Sequence, residues 1–192
     1  MIANIKTAIA THVKENWPKA DFSFVKWTVG GILDSIPDFV VCIISPSQDN
    51  KSWIYISVGA SNFINKQGEH IEFVLVAPYD SPEHIETLAM VANYHSDPNF
   101  RLELGSVVAI GRGWVESSKC DHLMLDLPYF KGPDLEELMV NKHIVRILWL
   151  VPISKSEYNY LKTNGKQALE EELERNKVRV TDPFRKILFQ TF

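Results

Sequence analysis

The stretch "ILWLVPIS", Ile147 to Ser154, decides how the chain folds. Its apolar residues do not alternate with polar ones, so neither face of the strand they form is meant for water. Such a strand belongs inside a sheet covered on both sides. The run reaches back to Ile144, with Arg146 as its one charge. An earlier stretch, "HLMLDLPYF" from His122 to Phe130, has the same plan of apolar strand and then proline. Proline has no N–H for a ladder and is expected just past the last pairable residue. Pro128 and Pro152 are therefore expected to end two buried strands.

Working outward, strands are expected over Phe22–Thr28, Phe39–Ile44, Trp53–Val58, Glu69–Val76 and Val107–Ile110. In Trp53–Val58, period two puts Trp53, Tyr55 and Ser57 on one face and Ile54, Ile56 and Val58 on the other. Ile2, Ile5, Ile9 and Val13 recur at helical spacing and predict a first helix ending before Pro18. Ser81 and Pro82 open a second, with Ile85, Leu88, Ala89 and Ala92 as its buried stripe. Asp134–Leu138 reads as a short helix. Ser154 with Glu157 three residues on is a capping-box pattern, and a charged helix containing "ALEEELERNK" follows Gly165, with Glu171 and Arg175 at pairing distance. The tail "TDPFRKILFQTF" is apolar enough to dock on the body. Most successive strands can be joined by hairpins. The expected fold is α+β: one domain over residues 1–192, a mixed, mainly antiparallel sheet with helices packed on it.

The 192 residues carry a net charge of −4, which argues against a nucleic-acid partner held by phosphate neutralisation. The N-terminus reads as an amphipathic helix, not a signal peptide, and no apolar run is long enough to span a bilayer. Two cysteines suggest no disulfide framework, which fits a reducing, cytoplasmic setting.

Chemistry-bearing residues are dispersed. The six histidines show none of the common metal-ligand spacings, and no cysteine pair does. No metal or cofactor is expected. His70 and Glu72 share a strand face and form either an acid–base fragment or a salt-bridged face, and Glu72 in an apolar strand needs a partner, for which Arg146 is a candidate. The run Cys120–Asp121–His122 superficially offers a triad, but alternation along a strand keeps Cys120 and Asp121 from both meeting His122. The lone GxG of "GRGW", Gly111–Trp114, reads as a turn with a packing tryptophan. Trp114, Tyr129 and Phe130 are open to core or interface use.

Several stretches together carry a resemblance: "WIYISVGAS" (53–61), "HIEFVL" (70–75), "PEHIETLAMVAN" (82–93), "LELGSVVAIGRGW" (102–114), "DHLMLDLPYFKGPDLEEL" (121–138), "VRILWLVPISKSEYNYLKTNGKQALEEELE" (145–174) and "DPFR" (182–185). In order, over residues 38–186, they resemble the suppressor-of-fused-like (SUFU) domain family, in its single-domain bacterial form. The resemblance implies a non-enzymatic protein-binding fold with no catalytic residues. Its animal members grip an extended peptide as an added strand, closing a second domain on it for which this chain has no length left. Many bacterial members are taken to be immunity proteins that neutralise a toxin.

The expected function is thus a stoichiometric protein-binding module, in the form of an immunity protein that binds and neutralises a toxin. Candidate contacts are Trp53, Tyr55 and Glu72 on the sheet and Trp114, Tyr129 and Phe130 in loops. The alternatives are a hydrolase built on His70 and Glu72, or a scaffold or dimerising module.

Overall fold

The computed structural model describes residues 4–189. Helix α1 (Ile5–Asn16) buries Ile5, Ile9 and Val13 on one stripe; Ile2, the first member of the expected stripe, lies outside the described residues. Strands β1 (Phe22–Lys26), β2 (Val40–Ile44), β3 (Trp53–Val58) and β4 (His70–Ala77) form an antiparallel meander, interrupted between β1 and β2 by the short helix α2 (Ile32–Ser35). Helix α3 (Pro82–Ser96) is capped by Ser81, whose hydroxyl accepts the Glu83 N–H. Then come β5 (Val107–Ala109), β6 (Cys120–Asp126), α4 (Pro133–Glu136), β7 (Glu137–Val140), β8 (His143–Ser154), α5 (Lys155–Asn164) and α6 (Lys166–Arg175).

The eight strands make one sheet in the order β1-β2-β3-β4-β8-β6-β5, with β7 also on β8. Only β4 and β8 run parallel. Strand β8 serves three neighbours. One edge takes β4 over Val145–Trp149; the other takes β7 over His143–Arg146 and then β6 over Trp149–Ser154. Both faces of the sheet are covered. Tyr55, Phe73, Leu123 and Leu148 pack under α3 and Trp114, while Ile56, Val74, Ile147 and Val151 pack under α1 and α6. Central strands with no solvent face need the unbroken apolar runs that the sequence shows.

Four expectations change. Strand β1 stops at Lys26, short of Thr28. The helix expected over Asp134–Leu138 is one turn, α4, after which the chain extends as β7 and turns tightly through Asn141 (φ 57°) into β8. Arg175 bonds Glu172, three residues back, not Glu171. Pro152 does not end its strand: it sits inside β8 opposite Leu123. The β4 pairing has run out by Trp149, so that edge of β8 is vacant at Pro152 and no ladder bond is lost. The Pro152 carbonyl accepts instead from Arg185 Nη2 at 3.2 Å. Pro128 does follow a strand end, two residues past Asp126.

Arg185 fastens the C-terminal segment. Its guanidinium grips the Glu157 carboxylate with bonds of 2.7 and 2.6 Å, both side chains being buried. Burial alone raises a carboxyl; here the guanidinium wins and holds Glu157 below its usual range. Glu157 also closes the capping box of α5. Both cysteines are free and buried, and burial pushes the Cys42 thiol up to about 12.

On the α3 side, His84 and His95 are wholly buried. His95 Nε2 donates to the Phe63 carbonyl while Nδ1 accepts the Leu102 N–H, an arrangement that suits only the neutral ring. Burial lowers both histidines to about 4.

Two outcomes follow. The folded state resists protonating these rings while the unfolded chain accepts protons near its ordinary value of about 6.5, so stability is full above that pH and falls on acidification towards pH 4, by on the order of 3 kcal/mol per histidine. Urea unfolding across that range measures the slope, and His95→Gln, able to keep both bonds, removes that residue's share. Arg185→Leu strands a buried carboxylate and is expected to cost about 3–5 kcal/mol, with much of the loss recovered in Glu157→Leu/Arg185→Leu.

Candidate interaction surface

Glu72 is buried completely. After Ile56 the β3–β4 ladder parts, and the Ser57 hydroxyl enters the gap, accepting the Phe73 N–H at 2.8 Å and donating to Glu72 Oε2 at 2.5 Å. The Gly59, Ala60 and Ser61 N–H groups and the Ser61 hydroxyl supply four more bonds. The carboxyl thus caps the 3₁₀ turn Ala60–Asn62 that follows β3. Gly59 permits this: its φ is +124°, and a Cβ there would meet Ile36 at 2.8 Å. Burial pushes the Glu72 carboxyl above its ordinary range, and the Ser57 and Ser61 hydroxyls with the Gly59 and Ser61 N–H groups pull against that shift. Arg146, the partner proposed from sequence, is elsewhere, bound to Glu69 and Glu137. It sits at the solvent margin of β8, half-buried, where Glu69 just before β4 and Glu137 of β7 meet it.

Glu72 and His70 do not converge on a cavity. His70 Nδ1 lies 2.7 Å from the Ser61 carbonyl, and its ring meets His143 edge-on. The Cys120–Asp121–His122 run does not assemble either. A register slip between Cys120 and His122 lets Asp121 reach His122 Nδ1 at 2.7 Å, but burial lifts the Cys120 thiol to about 11, away from nucleophilic chemistry.

Of the other expected contacts, Tyr55 is buried, its hydroxyl donating to Asp80 at 2.5 Å and accepting the Ser81 N–H. Trp114 is buried beside His84, in a turn tight enough that a Cβ on Gly113 would sit 2.4 Å from the Ser118 carbonyl. Tyr55, Glu72 and Trp114 therefore show a partner no surface. Trp53 is half-buried. Phe130 is half-buried against Trp149, and Tyr129 is 59% exposed.

The outer strands are β1, β5 and β7. β1 carries Lys26, paired with Asp38, and β7 carries Glu137, paired with Arg146. Charges of that kind blunt a sheet edge. β5 reads Val-Val-Ala and has none. Its pairing fixes what it exposes. The Ser106 carbonyl accepts from Leu125 and the Ile110 N–H donates to Asp121, so residues 106, 108 and 110 face β6. The backbone groups of Val107 and Ala109 accordingly face outward. The chain leading into β5 exposes Phe100 and Leu104, and Phe100 stacks on exposed Tyr94 of α3 at 4.9 Å. The sequence reading did not single out this group. Its signal is Tyr94, a large ring off the buried stripe of its helix.

These features define a mixed α+β domain with one uncharged strand edge and, on the chain that leads into it, an exposed aromatic stacked on a helix residue. The family model for suppressor of fused protein (SUFU) matches residues 37–186. A SUFU homologue from Neisseria gonorrhoeae superimposes with a TM-score of 0.85 at 32% identity, covering 98% of this chain and 99% of that one. The chain belongs to the suppressor of fused family. It also shares the fold of a Sufu–Fu complex structure (TM-score 0.67, 15% identity, 90% of this chain and 84% of that one) and of Drosophila Suppressor of Fused (0.65, 15%, 89% of this chain and 47% of that one). No curated protein matches the chain. Among the described residues no helix is long and apolar enough to cross a membrane.

Glu72→Ala leaves five donors facing a void and is expected to destabilise the protein by about 3 kcal/mol or more, with Glu72→Gln milder because one oxygen survives. Thermal or urea unfolding of the two variants measures both. Equal stability of Glu72→Ala and wild type would mean that the carboxylate is not the cap described.

Proposed function

We propose that the chain is a stoichiometric, non-enzymatic protein-binding module acting in the cytoplasm, as one domain over residues 1–192, and that its partner is a toxin which it neutralises. The carrying observation is the β5 edge. Outward N–H and C=O groups at Val107 and Ala109 offer a ladder to an extended segment, and the absence of charge on β5 removes the usual barrier to strand addition. Phe100 and Leu104 on the chain leading into β5, with Tyr94 stacked on Phe100, supply exposed apolar side chains as anchors. Tyr129, with Trp53 and Phe130 where they reach the surface, extends the contact region. The toxin reading rests on the resemblance to single-domain bacterial members, and a net charge of −4 favours encounter with a basic partner. The Glu72 cap weighs against the hydrolase reading, because that carboxyl already takes its hydrogen bonds from the turn after β3.

The test uses products of neighbouring reading frames as candidate partners, co-expressed with the chain. A toxic product whose growth arrest is relieved, and which co-purifies in fixed ratio, supports the proposal. Ala109→Pro removes one outward N–H and no bond to β6, so it is expected to keep the melting temperature while weakening the partner at least about tenfold. A partner that binds Ala109→Pro as tightly as wild type rules out β5 as the docking edge.

A further inference from the structure

A groove of about 610 Å³ runs between the loop before β6, the start of α5 and the C-terminal segment. Lys119, Lys155 and Lys186 line it, one from each wall, and all three are exposed. None forms an ion pair with a carboxylate of the described residues. Lys155 is steadied over the Tyr158 ring. Arg185 also lines the groove, and although its terminal nitrogens hold Glu157, its buried Nε has no acceptor among the described residues. An orphan donor is costly unless something fills its need. Glu157 is already matched by Arg185, and no carboxylate is among the described residues that line the groove, which leaves the lining cationic on a chain that is acidic overall. Phe184, Ile187 and Phe189 add apolar lining.

We propose that this groove is a docking site for an acidic peptide segment of a protein partner, its carboxylates meeting Lys119, Lys155 and Lys186 and its apolar residues meeting Phe184 and Ile187. The mixed lining favours a peptide with alternating acidic and apolar side chains over a lone inorganic anion, which has no use for the aromatic wall. The inference rests on the protein-binding role only in taking the ligand to be a peptide. The groove shares no residue with the β5 edge.

The experiment is fluorescence anisotropy with a labelled peptide alternating Glu with Leu, against its Lys-for-Glu counterpart, inorganic phosphate and single-stranded DNA. Wild type is expected to bind the acidic peptide, less tightly as salt rises. Lys119→Glu/Lys155→Glu/Lys186→Glu is expected to bind at least about tenfold more weakly, and the corresponding triple Gln variant to fall between. All three side chains are exposed, and an unchanged melting temperature confirms intact folding. Ala109→Pro is expected to leave this binding untouched, so the groove and the strand edge fail separately. The proposal is overturned if wild type does not bind the peptide, if the triple variants bind it equally, if Ala109→Pro abolishes the binding, or if phosphate or DNA binds more tightly than the peptide.

Discussion

Strand β8 is the constraint on which the structure depends. It is buried on both faces and flanked along both edges, by β4 on one side and by β7 and then β6 on the other. A strand so enclosed has nowhere to put charge, and every backbone group needs a partner. That requirement explains its composition and its irregularities alike. Arg146 sits near the start, where its side chain still reaches Glu69 and Glu137 at the surface. Pro152 sits where the β4 pairing has ended, so the missing N–H costs nothing, and the carbonyl left over is taken by Arg185. The C-terminal segment thereby docks because the central strand needs it: Arg185 satisfies a β8 carbonyl and the helix-capping Glu157 together.

Glu72 solves a similar problem where β3 and β4 part. The chain leaves β3 through a turn whose first N–H groups point into the protein, out of reach of water. A carboxyl on the adjacent strand accepts them. The two serines, Ser57 and Ser61, complete the set, and Ser57 also stands in for the ladder acceptor that β4 lacks at Phe73. Among the described residues no cation meets this carboxyl: its donors are dipoles, which offset only part of the burial that raises it, whereas the Arg185 guanidinium carries Glu157 below its usual range.

Much of this was legible in the sequence. Unbroken apolar runs marked the central strands, and Ser154 with Glu157 marked the start of α5. Those signals are local, set by side-chain periodicity and cap chemistry. What was not legible depends on contacts distant in sequence. Arg146 looked like the partner of Glu72 because both are charges in apolar strands, and nothing local shows that a turn eleven to thirteen residues before Glu72 curls over its carboxyl. Pro152 looked like a strand end because its neighbours' pairing lengths are not written near it. The first half of β7, Glu137 and Leu138, reads as the end of a helix because "DLEELMV" carries no alternation strong enough to oppose its helix-forming residues. The aromatics divided by environment in the same way. Trp114 and Tyr55 went inward, and Tyr129 stayed out, on grounds that composition does not contain.

The distribution of polar groups bears directly on function. The buried carboxyl and imidazole groups whose titration is shifted, Glu72, Glu157, His84 and His95, sit inside the fold, and Glu72, Glu157 and His95 each act as a fastener there. A catalytic site needs perturbed groups that converge where a substrate can reach them. Here the two histidines lie inward on α3, Glu72 is spent on the turn after β3, and Glu157 on Arg185 and its own helix cap. The chemistry left at the surface is of another kind: an uncharged β5 edge with its backbone exposed, and lysines that the fold has not paired. Both suit recognition of a chain, the first through main-chain hydrogen bonds and the second through side-chain charge. An edge alone accepts nearly any extended segment, since the backbone is common to all proteins. Selectivity then has to come from the side chains around it, which is the role open to Tyr94, Phe100 and Leu104.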